Sequence, residues 1–110
     1  MKTITAEELK KKIDSDKNFK LVNVLSKESF DVRHIPKSIS IPDDEIEEKI
    51  SKEFPDKSKE IIIHCASTTC QASTRAAKKL KEMGYTNVID FESGLAGWEE
   101  AGYDFDKNSS

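Results

Sequence analysis

The feature that most constrains the fold is an apolar stretch that ends in a cysteine. Three isoleucines, 61–63, follow one another without the alternation of apolar and polar residues that is typical of a strand with one solvent-exposed face. Such a run predicts a strand buried on both faces, as in a parallel sheet. The predicted strand covers residues 60–65, and Cys65 is its last residue.

The rest of the chain alternates short strand and helix patterns. Further strands are predicted at 2–4, 19–25, 39–41 and 87–91, and helices at 6–14, 27–32, from Pro42 onward, 72–83 and 94–101. Thr5 and Glu8 form a capping box before the first helix. Strands alternating with helices predict right-handed crossovers and an α/β fold with a mostly parallel sheet. Ligands of such sheets bind beyond the carboxyl ends of the strands, which is where Cys65 is placed.

Length and composition exclude several classes of function. The chain has 110 residues, which suits one domain, and a net charge of −3, which disfavours nucleic acid as a partner. Its longest apolar run is too short to cross a membrane, and the N-terminus has no apolar signal segment. Two cysteines are too few for a disulfide scaffold, so a reducing cytoplasm is the expected location.

The loop after Cys65 carries the pattern with chemical meaning. Residues 66–71 are polar and lead into the predicted helix at 72–83, so loop amides and the helix dipole can converge on the cysteine sulfur. Both effects are expected to lower the pKa of Cys65 and make it a nucleophile. The small residues at 66–69 leave room for an anion or an additional sulfur atom.

Five blocks in this order resemble the rhodanese family of sulfurtransferases. They are Leu-Val-Asn-Val at 21–24, His-Ile-Pro-Lys-Ser-Ile-Ser-Ile-Pro at 34–42, the strand 61–65, Gly-Tyr-Thr-Asn-Val at 84–88 and Gly-Leu-Ala-Gly-Trp at 94–98. The resemblance implies a rhodanese-like three-layer fold over residues 1–106, with helices on both faces of the sheet and a short tail at 107–110. It also implies an enzyme in which Cys65 takes a sulfane sulfur from a donor, becomes a persulfide and passes the sulfur to a thiophilic acceptor.

The same resemblance supplies the binding residues and partners. Backbone amides of the loop would stabilise the persulfide, so the predicted substrate-binding residues are Ala66, Ser67, Thr68, Thr69, Cys70 and Gln71. The donor would be a small sulfur-containing anion or a persulfide, and the acceptor a thiol or a protein partner. No metal, organic cofactor, nucleic acid or membrane is implied.

Departures from the family pattern leave the donor open. The family usually has Asp and Arg where this chain has Asn23 and Leu25, and Gly-Ala where it has Lys37-Ser38. Residues 66–71 hold no charge, whereas members that use thiosulfate often carry Arg or Lys there. A neutral loop suits polysulfide, a protein persulfide or a mercaptopyruvate-type donor as well as thiosulfate, and Arg75 is the nearest cation.

The second cysteine keeps other functions open. Cys70 is either a small packing residue or a resolving thiol that attacks an oxidised or persulfidated Cys65. The alternatives are therefore a dithiol redox or arsenate-reductase-like enzyme that uses both cysteines, and a sulfur-carrier module without turnover. A phosphatase is disfavoured because Gln71 stands where that signature needs an arginine.

The two histidines and two cysteines also raise the question of a metal site. His64 and Cys65 are neighbours on a strand and should face opposite sides of the sheet, and the cysteine pair lacks a second pair of ligands. No metal site is therefore predicted. His34 is expected to make a structural hydrogen bond, His64 to fill space beneath the sheet, and Trp98 to pack in the core or at its rim.

Overall fold

A computed structural model describes residues 2–15 and 18–107 of the chain. Its strands are β1 (Lys2–Thr3), β2 (Lys20–Asn23), β3 (Ser38–Ser40), β4 (Ile61–His64) and β5 (Val88–Phe91). Its helices are α1 (Ala6–Asp14), α2 (Lys27–Val32), α3 (Ile46–Glu53), α4 (Ala72–Glu82) and α5 (Gly94–Glu100). A 3-10 turn at Asp43–Glu45 leads into α3.

The five strands form one sheet in the order β1-β5-β4-β2-β3, and every neighbouring pair is parallel. The isoleucine strand β4 lies at its centre, where Ile63 pairs with Val22 on one side and Asp90 on the other. Two buried clusters cover the two faces, one with α3 and α4 and the other with α1 and α5. Ile61 and Ile63 enter the first cluster and Ile62 the second. The α/β fold, the mostly parallel sheet and the burial of β4 on both faces are thereby confirmed.

Helix α1 begins at the predicted capping box. The backbone N–H of Glu8 donates to the Thr5 hydroxyl at 3.1 Å, and the Thr5 N–H donates to the Glu8 carboxylate at 3.0 Å. Two N–H groups that lie outside the helical ladder are satisfied in this way. Leu9 and Ile13 are the buried side of the helix, as their spacing predicted.

Several predicted boundaries were wrong by one to four residues, those of β2, α3 and β4 among them. Strand β2 stops at Asn23 because its side-chain oxygen accepts the Leu25 N–H at 2.8 Å, which turns the chain early. The α-helix predicted from Pro42 begins only at Ile46, after the 3-10 turn. Strand β4 ends at His64, so Cys65 is the first residue beyond the strand and not its last.

Lys37 has a backbone φ of +72°, in the left-handed region that glycine adopts most easily. The rhodanese pattern has glycine at this position, and the structure supplies the physical reason for that preference. The substitution is accommodated with an ammonium-to-carbonyl hydrogen bond from Lys37 to Ile13 at 3.2 Å.

The end of the described chain is held by the loop before β3. His34 and Asp106 exchange two backbone hydrogen bonds of 2.8 Å, so Asp106 packs with the domain. Most of the predicted tail, residues 108–110, lies outside the described residues, as do 1, 16 and 17. In the part of the chain that the structure describes, no helix is both long enough and apolar enough to span a membrane.

Candidate active site

The backbone of Cys65 is fixed by the first turn of α5. The Cys65 carbonyl accepts the Leu95 N–H at 3.1 Å, and the neighbouring Ala66 carbonyl accepts the Ala96 N–H at 2.8 Å. The His64 ring reaches the same Cys65 carbonyl through Nδ1 at 3.1 Å. These contacts replace the sheet hydrogen bonds that a longer β4 would make, so the strand ends one residue early and the cysteine is still held rigidly.

Gly94 permits this close approach of α5 to the cysteine. A Cβ atom at this position would lie 2.2 Å from the Cys65 carbonyl oxygen, closer than any non-bonded contact allows. The backbone of Gly94 also has φ of +56°, a conformation unfavourable for other residues. Only glycine therefore lets the helix dock against the peptide bond between Cys65 and Ala66.

The thiol of Cys65 points into the loop at the amino end of α4 and is fully buried. Its Sγ lies 3.2 Å from the carbonyl oxygen of Cys70 and 3.5 Å from the hydroxyl of Ser73. Burial raises the pKa of the Cys65 thiol, and the hydrogen bond with the Cys70 side chain raises it further. The Ser73 hydroxyl and N–H act in the opposite direction but are outweighed. The expectation that this loop lowers the pKa of Cys65 is therefore wrong for the free thiol.

The loop amides lower the pKa of the second cysteine, Cys70, instead. Burial alone would raise the pKa of the half-buried Cys70 thiol, but its hydrogen bond with Cys65 and the N–H groups of Ala72 and Ala66 lower it. The positive charge of Arg75 lowers it further, so the net shift in the pKa of Cys70 is downward. The N–H groups that were predicted to favour a thiolate at Cys65 thus favour it at Cys70 in the free protein.

The remaining predicted binding residues line the outside of the same loop. Cys70 donates its N–H to the Ser67 carbonyl at 3.0 Å, which closes a tight turn. The Ser67 and Thr69 hydroxyls are hydrogen bonded to each other at 2.9 Å. Thr68 and Gln71 are exposed to solvent. The structure therefore brings Ala66 and Cys70 next to Cys65 and leaves the polar side chains at the mouth.

Arg75 does not point at the cysteines. Its guanidinium pairs with the Asp43 carboxylate at 3.5 Å, and the arginine side chain is 61% exposed. Asp43, Asp44 and Glu45 line a groove of about 480 Å³ beyond the carboxyl ends of β2 and β3. The site thus combines an uncharged loop with acidic neighbours, which weakens any electrostatic attraction for a small dianion.

The two histidines have the structural surroundings that were expected. His64 is fully buried on the face opposite Cys65, edge-on to Phe91, and burial lowers its pKa to about 4. His34 stacks on Phe30 at 4.0 Å, and its Nδ1 lies 2.8 Å from the Phe30 carbonyl. Over residues 2–15 and 18–107, no group of three or more His, Cys, Asp or Glu side chains could hold a metal ion. Trp98 is in the core, with its indole N–H donated to the Asp104 carbonyl at 2.8 Å.

Sequence reasoning missed two sets of residues that shape this site. Ser73, which contacts the Cys65 sulfur, was overlooked, although a serine on the buried side of α4 near the cysteine is an available signal. Gly94 and its two successors hold the cysteine backbone, and the Gly-Leu-Ala-Gly-Trp block was the signal for them.

Comparisons with known proteins agree with the fold. The family model described as "Rhodanese-like domain" matches residues 5–101, so the chain belongs to the rhodanese-like family. The chain is 32% identical over 95 residues to "Putative sulfur carrier protein YrkF" of Bacillus subtilis, covering 86% of this chain and 49% of that protein. It thus spans about half the length of this relative.

Two further matches cover most of both chains. "Putative sulfurtransferase YtwF" of Bacillus subtilis is 33% identical over 99 residues, which are 90% of this chain and 91% of that protein. The crystal structure of the BH2092 protein from Bacillus halodurans superposes with a TM-score of 0.89 at 27% identity, covering 96% of this chain and 77% of the other. The chain is thus a rhodanese-like domain similar to proteins that are named as sulfurtransferases.

Proposed function

We propose that this domain is a sulfurtransferase in which Cys65 accepts a sulfane sulfur and passes it to a thiophilic acceptor. The observation that carries the proposal is the placement of Cys65. It follows the central strand of a parallel sheet, its sulfur points into a loop at the amino end of α4, and α5 fixes its backbone. This placement suits a nucleophile that must hold its position while a donor is exchanged for an acceptor.

The chemistry proceeds in two displacements. The Cys65 thiolate attacks the outer sulfur of the donor, a sulfur–sulfur bond forms, and the donor remainder (sulfite, when the donor is thiosulfate) leaves with the electron pair. The acceptor thiolate then attacks the outer sulfur of the persulfide, and Cys65 leaves as a thiolate. Because burial raises the pKa of Cys65, the first step requires loss of the thiol proton and is expected to accelerate with pH.

The loop supports a persulfide or polysulfide donor over thiosulfate. Residues 66–71 carry no charge, Arg75 is paired with Asp43, and the adjacent groove is acidic. A dianionic donor would therefore meet no positive charge within residues 66–71 themselves. A reducing compartment such as the cytoplasm, where Cys65 and Cys70 persist as free thiols, belongs to the same proposal.

Intact mass spectrometry of Cys variants tests the proposal directly. Cys70→Ser, with a serine of nearly the same size, is incubated separately with thiosulfate and with inorganic polysulfide. We expect it to gain one sulfur atom, which cyanide then removes as thiocyanate. The double variant Cys65→Ser/Cys70→Ser is the matched control and should gain none, with circular dichroism showing that both variants are folded.

Two results would replace this function with another. If no donor adds sulfur but mild oxidant removes two hydrogens from the wild-type protein, the domain is a dithiol redox protein. If Cys65 loads sulfur but cyanide and thiol acceptors produce only one turnover, the domain is a sulfur carrier, the function suggested by the name of YrkF.

A further inference from the structure

The loop places a second cysteine next to Cys65, and the sulfurtransferase reaction does not require it. The Cys65 sulfur lies 3.2 Å from the backbone carbonyl oxygen of Cys70, which places the two cysteines side by side in the loop. The hydrogen bond from the Cys70 N–H to the Ser67 carbonyl, at 3.0 Å, closes the turn that brings the backbone of Cys70 back to Cys65. Both cysteines are free, so the pair is in its reduced form.

We infer that Cys70 is a resolving thiol, which attacks the inner sulfur of a Cys65 persulfide, forms a Cys65–Cys70 disulfide and releases hydrosulfide. This inference rests on the proposed function, because it needs the persulfide as its starting point. It adds an outcome that a simple transferase lacks: the domain reduces a sulfane sulfur to sulfide and becomes oxidised itself.

The contacts of Cys70 favour the thiolate that this attack needs. Partial burial raises the pKa of the Cys70 thiol, but in the free protein the hydrogen bond with Cys65, the Ala72 and Ala66 N–H groups and the Arg75 charge together lower it below the ordinary value. The two N–H groups and the Arg75 charge do not depend on the Cys65 thiol proton, so they remain when Cys65 carries a persulfide. Cys70 is also the more exposed of the two cysteines, so it can meet an external reductant after the disulfide has formed.

The surroundings of Cys65 decide which sulfur is attacked. Attack on the outer sulfur expels the Cys65 thiolate, as it does when the sulfur passes to an acceptor, and because burial raises the pKa of Cys65 this thiolate is the more basic of the two leaving groups. Attack on the inner sulfur expels hydrosulfide, the anion of a stronger acid. Thiol exchange is faster with the less basic leaving group, so disulfide formation is favoured.

Atoms and electrons balance over the whole cycle. The donor persulfide gives its outer sulfur to Cys65 and leaves as a thiol. The Cys70 thiolate forms the new sulfur–sulfur bond, and the persulfide bond breaks with its electron pair on the departing hydrosulfide. Two molecules of a small thiol then reduce the Cys65–Cys70 disulfide and become a disulfide themselves. The net reaction consumes one persulfide and two thiols and yields one thiol, hydrogen sulfide and one disulfide.

The test follows mass and sulfide in the absence of air and of added thiol. Wild type, Cys70→Ser and Cys70→Ala are mixed with the donor that loads Cys70→Ser, and sulfide is measured above a blank containing donor alone. We expect the wild-type protein to lose two hydrogens and to release stoichiometric sulfide. Both variants should keep the added sulfur and release none until a thiol is supplied.

The outcomes separate this inference from the proposed function. If wild type and both variants hold the same persulfide and no sulfide appears, Cys70 is a packing residue and the inference is wrong, while the transferase proposal stands. If no donor loads Cys70→Ser, the transferase proposal fails and the inference fails with it. A disulfide that forms equally fast without donor would also overturn the inference, because simple oxidation would then account for it.

Discussion

Acidification should destabilise this domain through one buried side chain. His64 is fully buried beneath the sheet, and its pKa is lowered to about 4 from an ordinary value of 6.5. Its Nε2 has no hydrogen-bond partner, so a proton there would leave a buried charge without compensation. Below pH 6.5 His64 is therefore protonated in the unfolded chain but stays neutral in the folded chain. The free energy of unfolding consequently falls as the pH falls.

The size of this effect follows from the two pKa values. A difference of about 2.5 pKa units corresponds to at most ~3.4 kcal/mol, reached only below the folded-state pKa. Between pH 7 and pH 5 the expected loss in the free energy of unfolding is about 2 kcal/mol. The full burial of His64 means that solvent does not screen this penalty appreciably.

Urea unfolding followed by circular dichroism measures the loss, with His64→Asn as the reference. Asparagine does not titrate and can still donate an N–H toward the Cys65 carbonyl, so it lowers stability by a similar amount at every pH. The pH dependence that remains in the variant belongs to the other groups. If wild type and variant lose equal stability between pH 7 and pH 5, the reasoning about His64 is refuted.

Three other substitutions test the backbone and charge of the site. Gly94→Ala should lower the free energy of unfolding by about 3 kcal/mol or more, because the new Cβ would lie 2.2 Å from the Cys65 carbonyl oxygen. Gly84→Ala is the control, since it adds only the strain of a positive φ, about 1 kcal/mol. Urea unfolding measures both variants. Lys37→Gly should raise stability by about 1 kcal/mol through relief of its φ of +72°, and Lys37→Ala should bring no gain in the same assay. Gln71→Arg should lower the KM for thiosulfate about tenfold in a thiocyanate assay at low salt, and Gln71→Glu should raise it; equal values would show that residue 71 does not face the donor.

The sequence patterns predicted the elements that form because of residues adjacent in the chain. The three isoleucines of β4, the capping box at Thr5 and the apolar side of α4 depend on residues adjacent in the chain, and each was confirmed. The resemblance to rhodaneses extended this to the topology, because its blocks fix the order of the elements.

The direction in which the loop amides point could not be predicted from the sequence. Residues 66–71 offer several hydroxyls and amides, and which sulfur they surround depends on packing by α5 and on the turn between Ser67 and Cys70. The pKa of Cys65 likewise depends on burial by distant elements, which no local pattern encodes. The fold could be predicted from motifs, whereas the electrostatics of the site required coordinates.

The contrast between the two thiols leads to a final prediction about their order of reaction. Alkylation requires a thiolate that the reagent can reach. Cys70 meets both conditions better than Cys65, because its pKa is lowered and its side chain is only half-buried. Cys65 is fully buried, and its pKa is raised. Iodoacetamide at neutral pH should therefore label Cys70 first, as peptide mass spectrometry would show. The label would fill the space in front of Cys65 and block sulfur loading there, although Cys70→Ser still loads. If Cys65 were labelled first, the free protein would expose its buried thiol far more often than this structure allows, and the assignment of the amides to Cys70 would be wrong.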